Sequence, residues 1–191
     1  DMPFAEDRLL PSLMVFCSQL DLKHIGKPKR NFWFSRGDTP VFIYRGGWDS
    51  KEDTYLGVKG GSPSTSHAHM DAGSFVYDAY GVRWSMDFGL QSYTTLESKL
   101  SALGGNLWDM GQNSMRWDVF RLNNLNHSTI SINDARHRVN GAATLTTTIN
   151  TATELGATFD LTEVVSDQAA SATRTVKIVN DKDLVVMDEI K

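Results

Sequence analysis

The chain has 191 residues, of which 40% are apolar, 22% charged and 10% aromatic, with a net charge of −4. These values describe a packed globular chain of about one domain and exclude a disordered or low-complexity one. The mild acidity gives no electrostatic footprint for nucleic acid, and the single cysteine, Cys17, excludes an intrachain disulfide framework.

No apolar stretch approaches the roughly 20 residues that span a bilayer, and Asp1–Asp7 carries no basic region of the kind that opens a secretory leader. From Ala5 to Leu20 the apolar residues Leu9, Leu13, Phe16 and Leu20 recur at helical spacing. Pro11 is expected to kink that helix or to start a second one. Cys17 sits within this run and reads as a buried, inert thiol. Gly26, Pro28 and the cations Lys27, Lys29 and Arg30 read as a solvated linker.

From Asn31 the period changes to two. Strands are expected at Phe32–Phe34, Val41–Arg45, Thr54–Lys59, Ser74–Ala79 and Val82–Asp87. The last two flank Tyr80-Gly81, a two-residue hairpin signal. Thr95–Leu103 reads as a short helix closed by Gly104-Gly105, and Asn106–Asn126 as an irregular loop. Further strands are expected at Ser128–Ile132, Ala143–Ile149, Ala157–Leu161, Thr173–Val179 and Leu184–Ile190. The fold class is therefore mainly β, an antiparallel β-sandwich with a short N-terminal helical segment. Residues 1–30 form a helical lead-in and linker, and residues 31–191 the sandwich. The last expected strand runs to the chain end, so the chain is expected to be a fragment of a longer protein.

The chemistry concentrates in Ser66-His67-Ala68-His69-Met70-Asp71-Ala72-Gly73-Ser74-Phe75. In extended backbone His67, His69 and Asp71 share one face, and two imidazoles with a carboxylate suit zinc or a similar divalent metal. The competing reading is a solvated polar face. Across the hairpin, Asp87 lies as far past Gly81 as Ser74 lies before Tyr80, which brings it near His69–Gly73 as a ligand or a turn cap. Trp84 and Met86 are expected to pack in the core on the opposite face. His127 opens an expected strand, while His24 and His137 read as surface residues. The loop carrying Trp108, Arg116 and Trp117 offers aromatic faces for sugar rings and a guanidinium for acidic groups, with Tyr93 as a further substrate-binding candidate. Trp117 reads more as a loop anchor. No GxSxG elbow and no phosphate-binding glycine loop is present.

Taken in order, Tyr44–Asp49, Tyr55–Lys59, His67–Phe75, Met86-Asp87-Phe88-Gly89, Arg121 and His127-Ser128-Thr129 resemble the heparinase II/III-like polysaccharide lyases over about residues 40 to 135. The resemblance implies an α/α toroid followed by a β-sandwich. It implies β-elimination of a uronate-containing polysaccharide such as heparin, heparan sulfate or alginate, in a secreted or periplasmic bacterial protein. It makes His67 the catalytic histidine of the sandwich, and His69, Asp87 and His127 the ligands of a zinc that organises the site. Asp71 has no ligand role by this resemblance and is expected to orient a histidine or cap the turn. Ser128 stands where the family commonly has asparagine. The family's toroid tyrosine and histidine, its acid and base, have no counterpart in this chain, so the chain alone is expected to be inactive. The alternative reading is a carbohydrate-binding sandwich whose zinc is structural.

Overall fold

The computed structural model describes residues 4–24 and 26–191. Among the described residues nine strands form two antiparallel meanders. The first sheet orders β1 (Phe32–Ser35), β2 (Val41–Arg45), β3 (Tyr55–Lys59), β4 (Phe75–Ala79) and β5 (Val82–Ser85) side by side. The second orders β6 (Thr144–Asn150), β7 (Glu154–Asp160), β8 (Ala172–Val179) and β9 (Asp183–Ile190). The chain is thus a mainly β protein built as a sandwich. Alternation carries the core: Phe42, Tyr44, Leu56, Val58 and Tyr77 from one sheet meet Leu145, Phe159, Val176 and Ile178 from the other. The β4–β5 hairpin turns on Tyr80 (φ 56°) and Gly81 (φ 73°), and the β8–β9 hairpin on Asn180 (φ 51°) and Asp181 (φ 65°). Both tight turns therefore have positive φ at their two central residues, the geometry whose twist matches the flanking strands.

Between the sheets, residues 86–143 contain α2 (Tyr93–Ala102) and short 3-10 turns at Met115–Asp118 and Asn124–Asn126. They close over a second core of Met70, Leu96, Leu100, Leu107, Trp117, Leu122 and Val139. Met70 lies in the β3–β4 loop, so this core locks that loop to residues 86–143.

Several local expectations give way. Ser128–Ile132 is not a strand, because its backbone carbonyls serve side chains and not a neighbouring strand. Ser128 O accepts from Arg174, and Ile130 O pairs with the His137 ring. That makes His137 a fully buried residue, not a surface one. Trp84 and Met86 are 64% and 67% exposed, because β5 is an edge strand and nothing among the described residues covers that side. The helix α1 (Phe4–Ser18) continues through Pro11 without a break. Its Leu13 and Phe16 are exposed, as are Leu20 just beyond it and Cys17, so Cys17 is no buried thiol. The side chain of Leu9 lies outside the described residues.

Candidate functional site

The β3–β4 loop turns sharply at His67, whose φ of 63° lies in the left-handed region. This turn breaks the alternation on which one shared face for His67, His69 and Asp71 depended, and the three side chains take different partners. His67 is exposed. Its Nδ1 lies 3.1 Å from the hydroxyl of Tyr93 at the start of α2. The rings of His67, Tyr93 and Trp108 form a triangle with centroids 5.4, 5.2 and 5.0 Å apart. Trp108 is held by an indole bond to Glu97 and by its backbone N–H on Asn106 Oδ1. The structure therefore brings the expected catalytic histidine together with two of the three expected substrate contacts. An exposed indole and a half-buried phenol beside one exposed, ionisable ring are chemically suited to a sugar and a proton transfer.

Arg116, the third expected contact, faces the other way. It is fully buried, and its Nη1 and Nη2 donate to the carbonyls of Leu107 and Ala68, each at 2.8 Å. Trp117 anchors its loop, as expected, buried and donating to Gly111 O at 2.9 Å.

His69 points to a second cluster. Its Nε2 lies 3.3 Å from Arg121 Nη2, and its ring centroid is 5.5 Å from that of His127. His127 is buried with Nδ1 2.6 Å from Asp87 Oδ2, and its Nε2 has no hydrogen-bond partner. Asp87 also accepts from the Phe88 N–H at 2.7 Å, so it caps the turn at the strand end while holding His127. The hairpin delivers it as expected: Tyr77 pairs with Ser85, and Ser85 Oγ donates to Phe75 O. Burial foremost pushes the His69 pKa down to about 4, helped by the charges of Arg121 and Arg116 against the opposing pull of Asp71. His69 is therefore neutral near pH 7, with Nε2 an acceptor for Arg121. Among the described residues no three His, Cys, Asp or Glu side chains stand arranged around a metal position. The donor types in this cluster, two imidazoles and one carboxylate, are nonetheless those of a borderline divalent cation, and an orphaned buried imidazole nitrogen is an open ligand position.

Asp71 neither orients a histidine nor joins this cluster, since its carboxylate binds Lys59 Nζ at 2.6 Å. The resemblance gave no role to Arg174, yet it ties the site to the second sheet. From β8 it reaches across the sandwich to donate to Gly73 O at 3.0 Å and Ser128 O at 2.7 Å, with Asp188 on β9 gripping it bidentately. No local motif marks it. A lone arginine among the apolar inward positions of β8 (Ala172, Val176, Ile178) is the one signal the sequence carries.

Comparison with known proteins supplies the context. The chain resembles the heparan sulfate lyase HepC of Pedobacter heparinus at 19% identity and a TM-score of 0.66, covering 98% of this chain and 27% of that one. A mutant of the same lyase matches at 18% identity and a TM-score of 0.65, with the same coverage. At such identity the likeness is one of fold, and the chain spans about a quarter of the length of those lyases. No curated protein sequence matches the chain significantly. The model of the heparinase II/III-like C-terminal domain matches residues 37–191. With most of its length inside that match, the chain belongs to the heparinase II/III-like family of polysaccharide lyases and carries the family's C-terminal domain.

Proposed function

We propose that this chain is the sandwich half of a lyase that cleaves a uronate-containing polysaccharide, of the heparan sulfate or alginate kind, by β-elimination. The observation that carries the reading is the triangle of His67, Tyr93 and Trp108, in which His67 and Trp108 are exposed and Tyr93 is half-buried. Elimination removes the C5 proton alpha to the uronate carboxylate, forms the C4–C5 double bond and expels the C4 oxygen, which takes up a proton. That C5 proton is only weakly acidic, so a placed base is worth about 10²–10⁴-fold in rate. With Nδ1 engaged by Tyr93, His67 has Nε2 left to move a proton at the sugar. Trp108 and Tyr93 offer faces on which a sugar ring can rest.

His67 stands exposed, with no facing wall among the described residues. Further acid, base and carboxylate-binding groups come, in this reading, from a helical toroid elsewhere in the whole protein, and the isolated chain is inactive. Incubating the isolated chain with heparan sulfate and with alginate is expected to give no ultraviolet absorbance from unsaturated uronate. Absorbance growth from the isolated chain would show that the sandwich suffices. The reading also carries a periplasmic or secreted location. No helix among the described residues is long and apolar enough to cross a membrane.

His69, Asp87 and His127 would hold zinc. The unpartnered Nε2 of His127 and the neutral ring of His69 support this assignment. When bound, the ion would supply a fixed positive charge that organises these side chains. Metal analysis of the purified whole protein should find about one zinc per chain, lost in the His69→Ala variant. Equal zinc in both proteins contradicts the ligand assignment. Zinc retained with sugar binding but without cleavage, in the whole protein, would favour a carbohydrate-binding module.

A further inference from the structure

Arg116 is a cation in the core with no anion. Among the described residues no carboxylate bonds it, its Nε has no partner, and its guanidinium packs over the buried ring of Trp117 with 5.3 Å to the centroid. Burying an unpaired charge is costly, so the fold retains it against a standing penalty. Its two bonds are specific. One goes to the carbonyl of Ala68, between His67 and His69, and the other to the carbonyl of Leu107, which precedes Trp108. These segments belong to different loops, and the planar fork of a guanidinium fixes both carbonyls in one plane.

We infer that Arg116 is a positioning residue, which holds the His67 backbone turn and the Trp108 loop in register so that the His67–Tyr93–Trp108 triangle is preformed. The inference rests on the lyase reading above. Its geometry is local: the left-handed turn at His67 is a strained conformation for a non-glycine residue, and the bond at Ala68, the next carbonyl along, restrains it. A lysine at this position keeps the charge but lacks the two-pronged fork.

The test uses the whole protein that contains this chain. Arg116→Lys and Arg116→Met are compared with Phe159→Leu, a change in the sandwich core and not in the second core that holds Met70, Leu107 and Trp117. Hydrogen exchange should rise together in residues 62–74 and 104–112 in both Arg116 variants and in neither segment of Phe159→Leu. The kcat of Arg116→Lys should fall by about 10–100-fold with KM little changed, the cost of a misplaced catalytic group. Adding Arg116→Lys to His67→Ala should cost nothing further. Unchanged exchange in the two segments, or a loss additive with that of His67→Ala, overturns the inference while leaving the lyase reading intact. No elimination by the parent on either polymer removes the lyase reading, whereas full activity in His67→Ala removes the catalytic role of His67, and the positioning role goes with it. Should Arg116→Met fail to fold, the Arg116→Lys measurements decide the matter alone.

Discussion

His69 is half-buried, and that burial is the main reason its ring resists protonation down to about pH 4 against an ordinary 6.5. Between those values the unfolded chain binds a proton that the folded chain does not. The His69 contribution to stability is therefore complete above about pH 6.5 and is lost as the pH falls toward 4. Burial lowers the His137 pKa as well, in the same sense. Melting of the metal-free protein, prepared with a chelator, should give a Tm that falls steadily from pH 7 toward pH 4. In His69→Ala the slope should be shallower, and equal slopes would contradict the assignment of this titration to His69. At this scale the sequence was partly legible. The pattern His-x-His-x-Asp marked the right loop, but alternation put its side chains on one face. The left-handed turn at His67 instead sends one ring to Tyr93 and the other to Arg121, and nothing in local spacing announces that turn.

Among the elements, the strands followed from period-two alternation and from turn pairs such as Tyr80-Gly81, because alternating burial and positive φ leave residue-type signatures. Two features escaped that reading for a common reason, that a distant partner decides them. Ser128–Ile132 has strand composition, yet its carbonyls are taken by Arg174 and His137. Arg174 itself acts on loops that lie far from it in sequence. Its guanidinium, nearly buried between the sheets, ties β8 and β9 to both loops of the site. Removing Arg174 leaves the carbonyls of Gly73 and Ser128 without their donor, at about 1–3 kcal/mol, while the exposed Asp188 keeps access to water. Arg174→Met should lower the unfolding free energy by that order in urea titration and loosen both the Gly73 and Ser128 segments. A single variant within about 0.5 kcal/mol of the parent, the range of ordinary surface changes, would show that the tie contributes nothing to stability.

Across the whole molecule, the two sheets share a core, and residues 86–143 add a second core beneath the site. The candidate chemistry sits on the rim where the β3–β4 loop, α2 and the Trp108 loop meet. Trp108 is exposed on this rim, and Trp84, Met86 and Phe88, on β5 and the stretch that follows it, are exposed as well. The family and the sandwich were readable from an ordered set of short motifs. The grouping of Tyr93 and Trp108 around His67 was suggested by residue type alone and needed the fold to be seen. The central claim is that His67 moves a proton in the elimination carried out by the whole protein. The measurement that tests it most directly is the ultraviolet absorbance of unsaturated uronate as the whole protein acts on heparan sulfate and on alginate, compared with its His67→Ala variant. Product is expected from the parent on one of these polymers, with a rate about 10²–10⁴-fold lower in the variant. Equal rates in the two proteins would contradict it.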